Sequence, residues 1–538
     1  MLCCCREDNQ PLDQPIKTMN SMQERSWWLK NKPGFKKLEK LLSASFDGLT
    51  EESYWQTHKN LLDSFDWQLW QKDEALLFAR ETVQEEQTGY LQLLSLRGES
   101  LQVLEESQPN PPSFWWDLPD SELREYLHKR LDVCSLEAVI SVEEERWLLA
   151  CRDSEQKIRV RLEVVHREVF RLDAEETPRH HQTFITCKPL RGYEKSADQA
   201  LACLHRLLGD PANPESPEYL LSLTGLQPEK ALLPSPLPLH PNTPTETALR
   251  EAADRLFAQA RRYEAGLLFD VDTEFLHQYR VNLRRIRSIF SLLKAALPED
   301  VWQELKPRLS ELSKSTNTLR DLDVFLLERS EFLAMLPEAF RPGLEKLFHK
   351  VEEERRLAHQ QLASQFLSAD YEKNCQWLEA FFAEPPLLAT PLAVMPVKKV
   401  AGQKIWKRYR KICKAGQKVT SKTPDDEIHQ LRIQCKKLRY LLDFFASLYP
   451  PKQHKRHVKT LKRLQTILGN FNDYTVQQEF LLERLEKDTT SELDAALHGL
   501  ITILYQQQLE ERSKVMQALN DFSAQRVHAD FKTSYKKQ

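Results

Sequence analysis

One eleven-residue segment occurs twice in this chain, and it constrains the fold more than any other feature. His277-Gln278-Tyr279-Arg280-Val281-Asn282-Leu283-Arg284-Arg285-Ile286-Arg287 returns as His429-Gln430-Leu431-Arg432-Ile433-Gln434-Cys435-Lys436-Lys437-Leu438-Arg439, 152 positions later. The same offset relates Leu297-Pro298 to Tyr449-Pro450, Leu309 and Leu312 to Leu461 and Leu464, and Asp321 to Asp473, without a gap. An ungapped match of this length means one helical unit used twice, and two such units are expected to pack about a pseudo-twofold axis.

On a helix turning about 100° per residue, His277, Arg280, Arg284 and Arg287 share one stripe. His429, Arg432, Lys436 and Arg439 form its duplicate, and Arg285 and Lys437 add a cation beside each. Leu276, Tyr279, Leu283, Ile286, Phe290 and Leu293 cluster on a separate apolar face, which gives the helix a core side. Like charges at i,i+3 and i,i+4 repel, so a polar face of one sign needs a counter-charge. Carboxylates on neighbouring helices could supply it. So could a bound polyanion, which the duplication favours.

The charge balance points the same way once it is resolved along the chain. The whole chain has a formal net charge of −3. From Lys398 to Arg463, however, twenty Lys and Arg stand against four acids, a net of +16, which leaves −19 for the remainder. Within that segment Lys407 and Lys414 on one helical pattern, and Lys459 and Lys462 on the helix after Pro451, are candidates to extend the anion track. Only 13 of the 538 residues are Gly, which argues for long helices and against a glycine-looped nucleotide fold.

The remaining sequence divides by texture. Residues 1–21 read as a disordered leader. From Met22 to about 210, alternating runs such as Tyr90-Leu91-Gln92-Leu93 and Ile158-Arg159-Val160-Arg161-Leu162 predict strands. Helical patterns at Phe35–Ser43, Ser121–Leu131 and Ser196–Leu208 accompany them. A Pro-rich passage over 211–244 reads as a linker. A helical region follows over 245–517, with repeats at about 245–384 and 397–517 separated by Pro385 to Pro396; residues 518–538 read as a tail. The cysteines beyond the leader are scattered without a C-x-x-C pair, so neither a disulfide framework nor a zinc site is expected. No apolar run reaches the ~20 residues of a membrane span, and the cytoplasm is the expected compartment.

The duplicated H-x-x-R-x-x-x-[RK]-[RK]-x-R helix, followed by Leu319-Arg320-Asp321-Leu322-Asp323-Val324 and Leu468-Gly469-Asn470-Phe471-Asn472-Asp473, resembles the CHAD domain. That resemblance implies two pseudo-symmetric four-helix bundles whose basic helices bind inorganic polyphosphate without catalysis. The N-terminal region is similar to a CYTH domain through Glu24-Arg25-Ser26-Trp27-Trp28-Leu29, Leu62-Asp63-Ser64-Phe65-Asp66-Trp67-Gln68-Leu69-Trp70 and Pro189-Leu190-Arg191-Gly192-Tyr193-Glu194-Lys195. The CYTH resemblance implies an antiparallel β-barrel whose tunnel holds a triphosphate and a divalent metal on an E-x-E-x-K strand. Here Met22, Glu24 and Ser26 stand at those three positions, and Arg80 is the only cation of the strand Leu76-Leu77-Phe78-Ala79-Arg80. Lys157, Arg159 and Arg161 alternate on a later strand and point either into a tunnel or to water.

The expected whole is therefore an α+β multidomain chain, a degenerate CYTH-like barrel followed by an all-α CHAD domain. Its expected function is polyphosphate binding with no cofactor and no catalytic or metal-ligating residue. One alternative is a CYTH-type triphosphatase or polyphosphate hydrolase, which would require Mg²⁺ or Mn²⁺. The other is nucleic-acid binding, disfavoured because the stripes lack interleaved exposed aromatics and Trp406 and Tyr409 suit a core equally well. Residence on polyphosphate granules is compatible with the resemblance.

Overall fold

The computed structural model describes residues 24–29, 40, 48–83, 86–104, 110–172, 178–228, 236–485 and 491–536. The chain divides into two compact units, Met1–Leu232 and Leu233–Gln538. The leader at 1–21 and, apart from Lys40, the expected helix Phe35–Ser43 lie outside the described residues.

The alternating stretches of the first unit form eight antiparallel strands: β1 (Arg25–Leu29), β2 (Gly48–Asp63), β3 (Glu74–Val83), β4 (Glu86–Ser95), β5 (Ser100–Leu104), β6 (Glu137–Arg152), β7 (Ile158–Arg171) and β8 (His180–Pro189). Their order in the sheet is β1-β8-β7-β6-β2-β3-β4-β5. Period-two alternation gives each strand two faces. On one face Trp27, Leu149, Leu162, Val164 and Ile185 lie under helix α2 (Glu194–Leu208), which contributes Ala197, Leu201 and Leu204. Further along the sheet Leu62, Leu76, Phe78, Leu91 and Leu93 lie under α1 (Glu122–Leu131), through Leu123, Leu127 and Leu131. Each buried Leu, Ile, Val or Phe among these contributes roughly 1.5–3 kcal/mol relative to exposure.

Two expectations are corrected here. The sheet is not a closed barrel: among the described residues β1 and β5 are its edges and do not pair with each other. Those edge strands have 5 residues each, whereas β2 and β6 have 16. Closure requires strands of consistent length, tilt and stagger around the ring, and edges this short do not supply it. Nor is all of 211–244 a linker. Ala212 bridges to Ser26, and Pro217–Leu223 forms helix α3, started by Pro217 and capped by Ser216. Leu220 and Leu221 of α3 pack on Leu61, Leu77, Ile140 and Val142, against the opposite sheet face.

The second unit is helical, and its helices recur in order at the sequence offset. Helix α4 (Thr245–Arg262) precedes the short α5 (Glu264–Leu268), then come α6 (Thr273–Leu293), α7 (Glu299–Ser315), α8 (Asn317–Leu327) and the short α9 (Arg329–Met335). Helices α10 (Arg341–Phe366) and α11 (Ala369–Ala383) complete the first half. The second half comprises α12 (Val397–Gly416), α13 (Asp425–Phe444), α14 (Pro451–Leu485), α15 (Ser491–Ser523) and α16 (Gln525–Tyr535). Helix α14 is continuous where the first half breaks at Thr316 into α7 and α8. The residues read as a tail from 518 instead complete α15 and form α16, whose Phe531 and Tyr535 are buried at 0% and 2% exposure. At the junction of the halves Thr245 N donates to Met395 O at 3.0 Å and Val397 N to Thr243 O at 2.9 Å. Pro244 and Pro396 form an antiparallel bridge between them. Each of these three positions thus meets its neighbourhood's own repeat counterpart.

Candidate functional site

Helix α6 starts where Asp272 Oδ1 accepts the backbone N–H groups of Glu274 and Phe275, satisfying two donors that the first turn leaves free. Its counterpart α13 starts after Pro424, with Asp425, Asp426 and Glu427 complementing the helix dipole. Leu276, Tyr279, Leu283, Ile286, Phe290 and Leu293 are all buried, as the helical spacing predicts. That anchoring aims His277, Arg280, Arg284 and Arg287 away from the core. Ile428, Leu431, Cys435 and Leu438 do the same for His429, Arg432, Lys436 and Arg439.

Helices α6 and α13 pack against each other, so the two rows meet. Burial, then Arg432 and Arg284, hold the Lys436 ammonium below its ordinary pKa. The Arg284 contribution crosses between the repeats. Arg285 lies beside Arg439 and Asp443, with burial the main cause of its lowered pKa. Lys437 is depressed by burial and by Arg408 and Lys411, which places it toward α12 and off the row. Lys407, Lys414, Lys459 and Lys462 are exposed, and among the described residues none is ion-paired.

The two rows differ in how their charge is answered. In the first, Arg280 donates to Ser313 O, Thr316 Oγ1 and Asn317 Oδ1, all neutral acceptors at the break between α7 and α8. Among the described residues Arg280, Arg284 and Arg287 make no ion pair with a carboxylate. In the second, Arg432 pairs with Asp473 at 3.1 Å and Arg439 with Asp443 at 2.7 Å. His429 Nδ1 lies 2.5 Å from Asn472 Oδ1. The carboxylate pairing weighed from sequence therefore holds for part of the second row, whereas in the first the Asp321 carboxylate acts on Arg280 and Arg320 without forming a contact ion pair.

Arg320, the counterpart of Asn472, joins the first row although sequence reasoning did not single it out. Burial, then Arg320, Arg284 and Arg280, push the His277 imidazole down to about 4, from an unperturbed value near 6.5. Between those values the unfolded chain binds more protons than the folded one, so this group makes stability rise with pH across the window. Melting curves of wild type and His277→Gln should therefore diverge on acidification from pH ~6.5 to ~4, the wild type losing more. Parallel losses would contradict the burial of this imidazole among arginines.

The face of the sheet that carries α3 holds a second charged cluster, and it is self-neutralised. Arg146 pairs with Glu144 at 2.7 Å, Glu163 at 2.9 Å and Glu215 at 2.6 Å. Lys59 reaches Glu144 and Glu215, both at 3.1 Å, and Lys188 reaches Glu163 at 2.8 Å. Burial raises the Glu144 carboxyl, but Arg146 and Lys59 outweigh it and hold the group ionised. Arg167, 1% exposed, donates to Gln182 and lies over the Phe184 ring. Lys157, Arg159 and Arg161 each pair with an acid, Glu155, Asp153 and Glu52 respectively. Ser26 hydrogen-bonds Thr186, Glu24 is exposed, and Met22 lies outside the described residues. Against a divalent metal, the buried carboxylates Glu144 and Glu163 of this face are each already ion-paired to cations. Among the described residues no group of three or more His, Cys, Asp or Glu is placed to hold one.

Residues 251–482, which include both basic rows, match the family model of the CHAD domain. The helical unit contains a CHAD domain. Two uncharacterized proteins of Mycobacterium tuberculosis, Rv2226 of strain H37Rv and MT2285 of strain CDC 1551, are each 26% identical over 281 residues. The match covers 51% of this chain and 51% of each relative, so the chain spans about half the length of the curated relatives it matches. Among solved structures, the CHAD domain from the plant Ricinus communis is 24% identical with a TM-score of 0.45, covering 53% of this chain and 94% of that one. PptA from Streptomyces chartreusis is 15% identical with a TM-score of 0.41, covering 51% and 99%. No helix among the described residues is long and apolar enough to cross a membrane.

Proposed function

We propose that the CHAD domain binds long-chain inorganic polyphosphate along the facing rows of α6 and α13, without catalysis. The observation that carries this reading is the cross-repeat repulsion between Arg284 and Lys436 in a row whose first half, among the described residues, makes no ion pair, with Asp321 the carboxylate that acts on Arg280. Such a cluster offers its charge to an external anion. Arginines would grip phosphate oxygens through forked, charge-assisted hydrogen bonds, and Lys436 would act as a point charge. The reciprocal hydrogen bonds of Thr245 and Val397 support two pseudo-symmetric bundles, with the rows on either side of the axis.

We read the N-terminal unit as a degenerate CYTH-like module with a structural or docking role. The self-paired cluster around Arg146 supports this over a triphosphatase. Against nucleic-acid binding, Tyr409 is fully buried and stacks on Phe531, and Trp406 packs on Tyr409 and His528. Tyr409 is thus withheld from a base, and the half-buried Trp406 is already engaged by its ring neighbours.

Capture by a row of cations releases counterions, so affinity should fall linearly on a log–log salt plot. Between about 50 and 200 mM salt the loss should be on the order of 10³-fold if six or more phosphates are neutralised, by the scaling seen for nucleic acids. A salt-independent isotherm with labelled polyphosphate would overturn the reading. Because an adjacent polyanion favours imidazolium, binding at pH ~5.5 should take up a proton, and affinity should rise as pH falls toward His277's depressed value. Calorimetry in buffers of different ionisation enthalpy should show that uptake in wild type and its reduction in His277→Gln.

A further inference from the structure

A cavity of about 310 Å³ opens between α6 and α7 in the first repeat. Its polar wall is Arg284, Arg287, Ser288, Ser291, Lys306 and Ser310, and Trp302 and Leu309 complete its lining. The α6 positions fall at i, i+3, i+4 and i+7, and the α7 positions fall one turn apart, so each helix offers a single face. No carboxylate lines the cavity. Among the described residues Arg284, Arg287 and Lys306 have neither an ion pair nor a side-chain hydrogen bond to another protein group.

The second repeat shows what the same place looks like when its charge is answered from within. At the repeat offset, Ser291 becomes Asp443, which takes the Arg439 guanidinium at 2.7 Å. Lys306 becomes Val458, Ser288 becomes Tyr440, Ser310 becomes Lys462 and Trp302 becomes His454. His454 feels Asp443 and Arg439 with opposite sign beneath a dominant effect of burial, so the counterpart side chains do converge there. The first repeat thus lacks the one carboxylate, carries its lysine at 306 where the second carries Lys462, and lines the space with hydroxyls.

We propose that this cavity is a site for a terminal phosphoryl group, supplied by free pyrophosphate or by the end of a polyphosphate chain. The volume is at the lower end for small-ligand cavities, which suits a compact oxyanion better than a length of polymer. A terminal phosphoryl carries up to about two negative charges at neutral pH, against about one for an internal unit. Three unpaired cations and three hydroxyl donors match that denser charge. The chain-end form rests on the groove reading above; the pyrophosphate form does not.

The test uses the full chain and calorimetric titration with pyrophosphate. Wild type should bind one equivalent saturably. Ser291→Asp, which installs the second repeat's carboxylate beside Arg287, should weaken binding about tenfold or more, and Lys306→Gln should do the same. Ser291→Asn, which replaces the hydroxyl by an uncharged donor of similar bulk to Asp, should weaken binding far less than Ser291→Asp, so the difference between the two variants reads the added charge. Ser291 and Lys306 are exposed, so unchanged melting curves should verify folding. A second arm compares long-chain polyphosphate with free ends and the same polymer with both ends blocked. Wild type should prefer free ends, and Ser291→Asp should lose the preference while still binding both polymers. Pyrophosphate binding that is absent, or that Ser291→Asp and Lys306→Gln leave unchanged, overturns the pocket. Polymer binding would then stand alone in the groove. Pyrophosphate binding sensitive to these substitutions, with neither polymer bound, would support the pocket and overturn the groove.

Discussion

Replacing Arg280, Arg284, Arg432 and Lys436 together by glutamine is expected to lower polyphosphate affinity by about 10³-fold or more while leaving the fold intact. Each charge-assisted hydrogen bond contributes roughly 1.5–3 kcal/mol, and even strong non-additivity among four leaves a loss above about 4 kcal/mol. The folded state loses little. Arg284 and Lys436 have no carboxylate partner among the described residues, and Arg432 loses a single pair to the exposed Asp473. Arg280 gives up its hydrogen bonds to neutral acceptors around Thr316, which costs about 1 kcal/mol or more. Relief of the Arg284 to Lys436 repulsion offsets part of that. Equilibrium binding with labelled polyphosphate, alongside a thermal melt, checks both halves; retained affinity would move the site off these helices.

The second large effect belongs to the sheet. Arg146→Ala should destabilise the N-terminal unit by about 3–5 kcal/mol, because it strands Glu144 and Glu163 in a buried setting with only Lys59 and Lys188 to answer them. Glu215, at 49% side-chain exposure, is freer to rehydrate. The double variant Arg146→Leu, Glu144→Leu should recover much of the loss, since Lys59 keeps Glu215 and Lys188 keeps Glu163. Tryptophan fluorescence during urea unfolding is a selective probe, because eight of the eleven tryptophans lie before position 150. A single-variant midpoint equal to wild type would mean that the cluster is hydrated and contributes nothing. If the sheet still worked as a triphosphatase, phosphate release with Mg²⁺ or Mn²⁺ would be detectable and Glu24→Ala would abolish it; the account predicts no release.

What was legible in the sequence was whatever depends on local spacing. The repeat, the buried face of α6 and the basic stripes follow from residue identity and the helical period, and the structure orients them accordingly. The pairing of Arg439 with Asp443 was also readable, as an i,i+4 contact on one helix. Features set by distant packing were not. Whether β1 meets β5 depends on strand lengths and tilts summed across eight strands, and no local pattern carries that sum. Proline density disguised α3, although Pro217 occupies the one helical position where proline is favourable. Lys306 and Arg320 reach the first row only because α7 and α8 fold back on α6, so no spacing within one helix could nominate them.

The central claim, selective capture of polyphosphate by the paired rows, is tested most directly by competition. Immobilised full-length protein carrying labelled long-chain polyphosphate is challenged with unlabelled polyphosphate, RNA, DNA or triphosphate at equal phosphate concentration. The account predicts displacement by unlabelled polyphosphate at far lower concentration than by either nucleic acid. Displacement by RNA or DNA as efficient as by polyphosphate would contradict it.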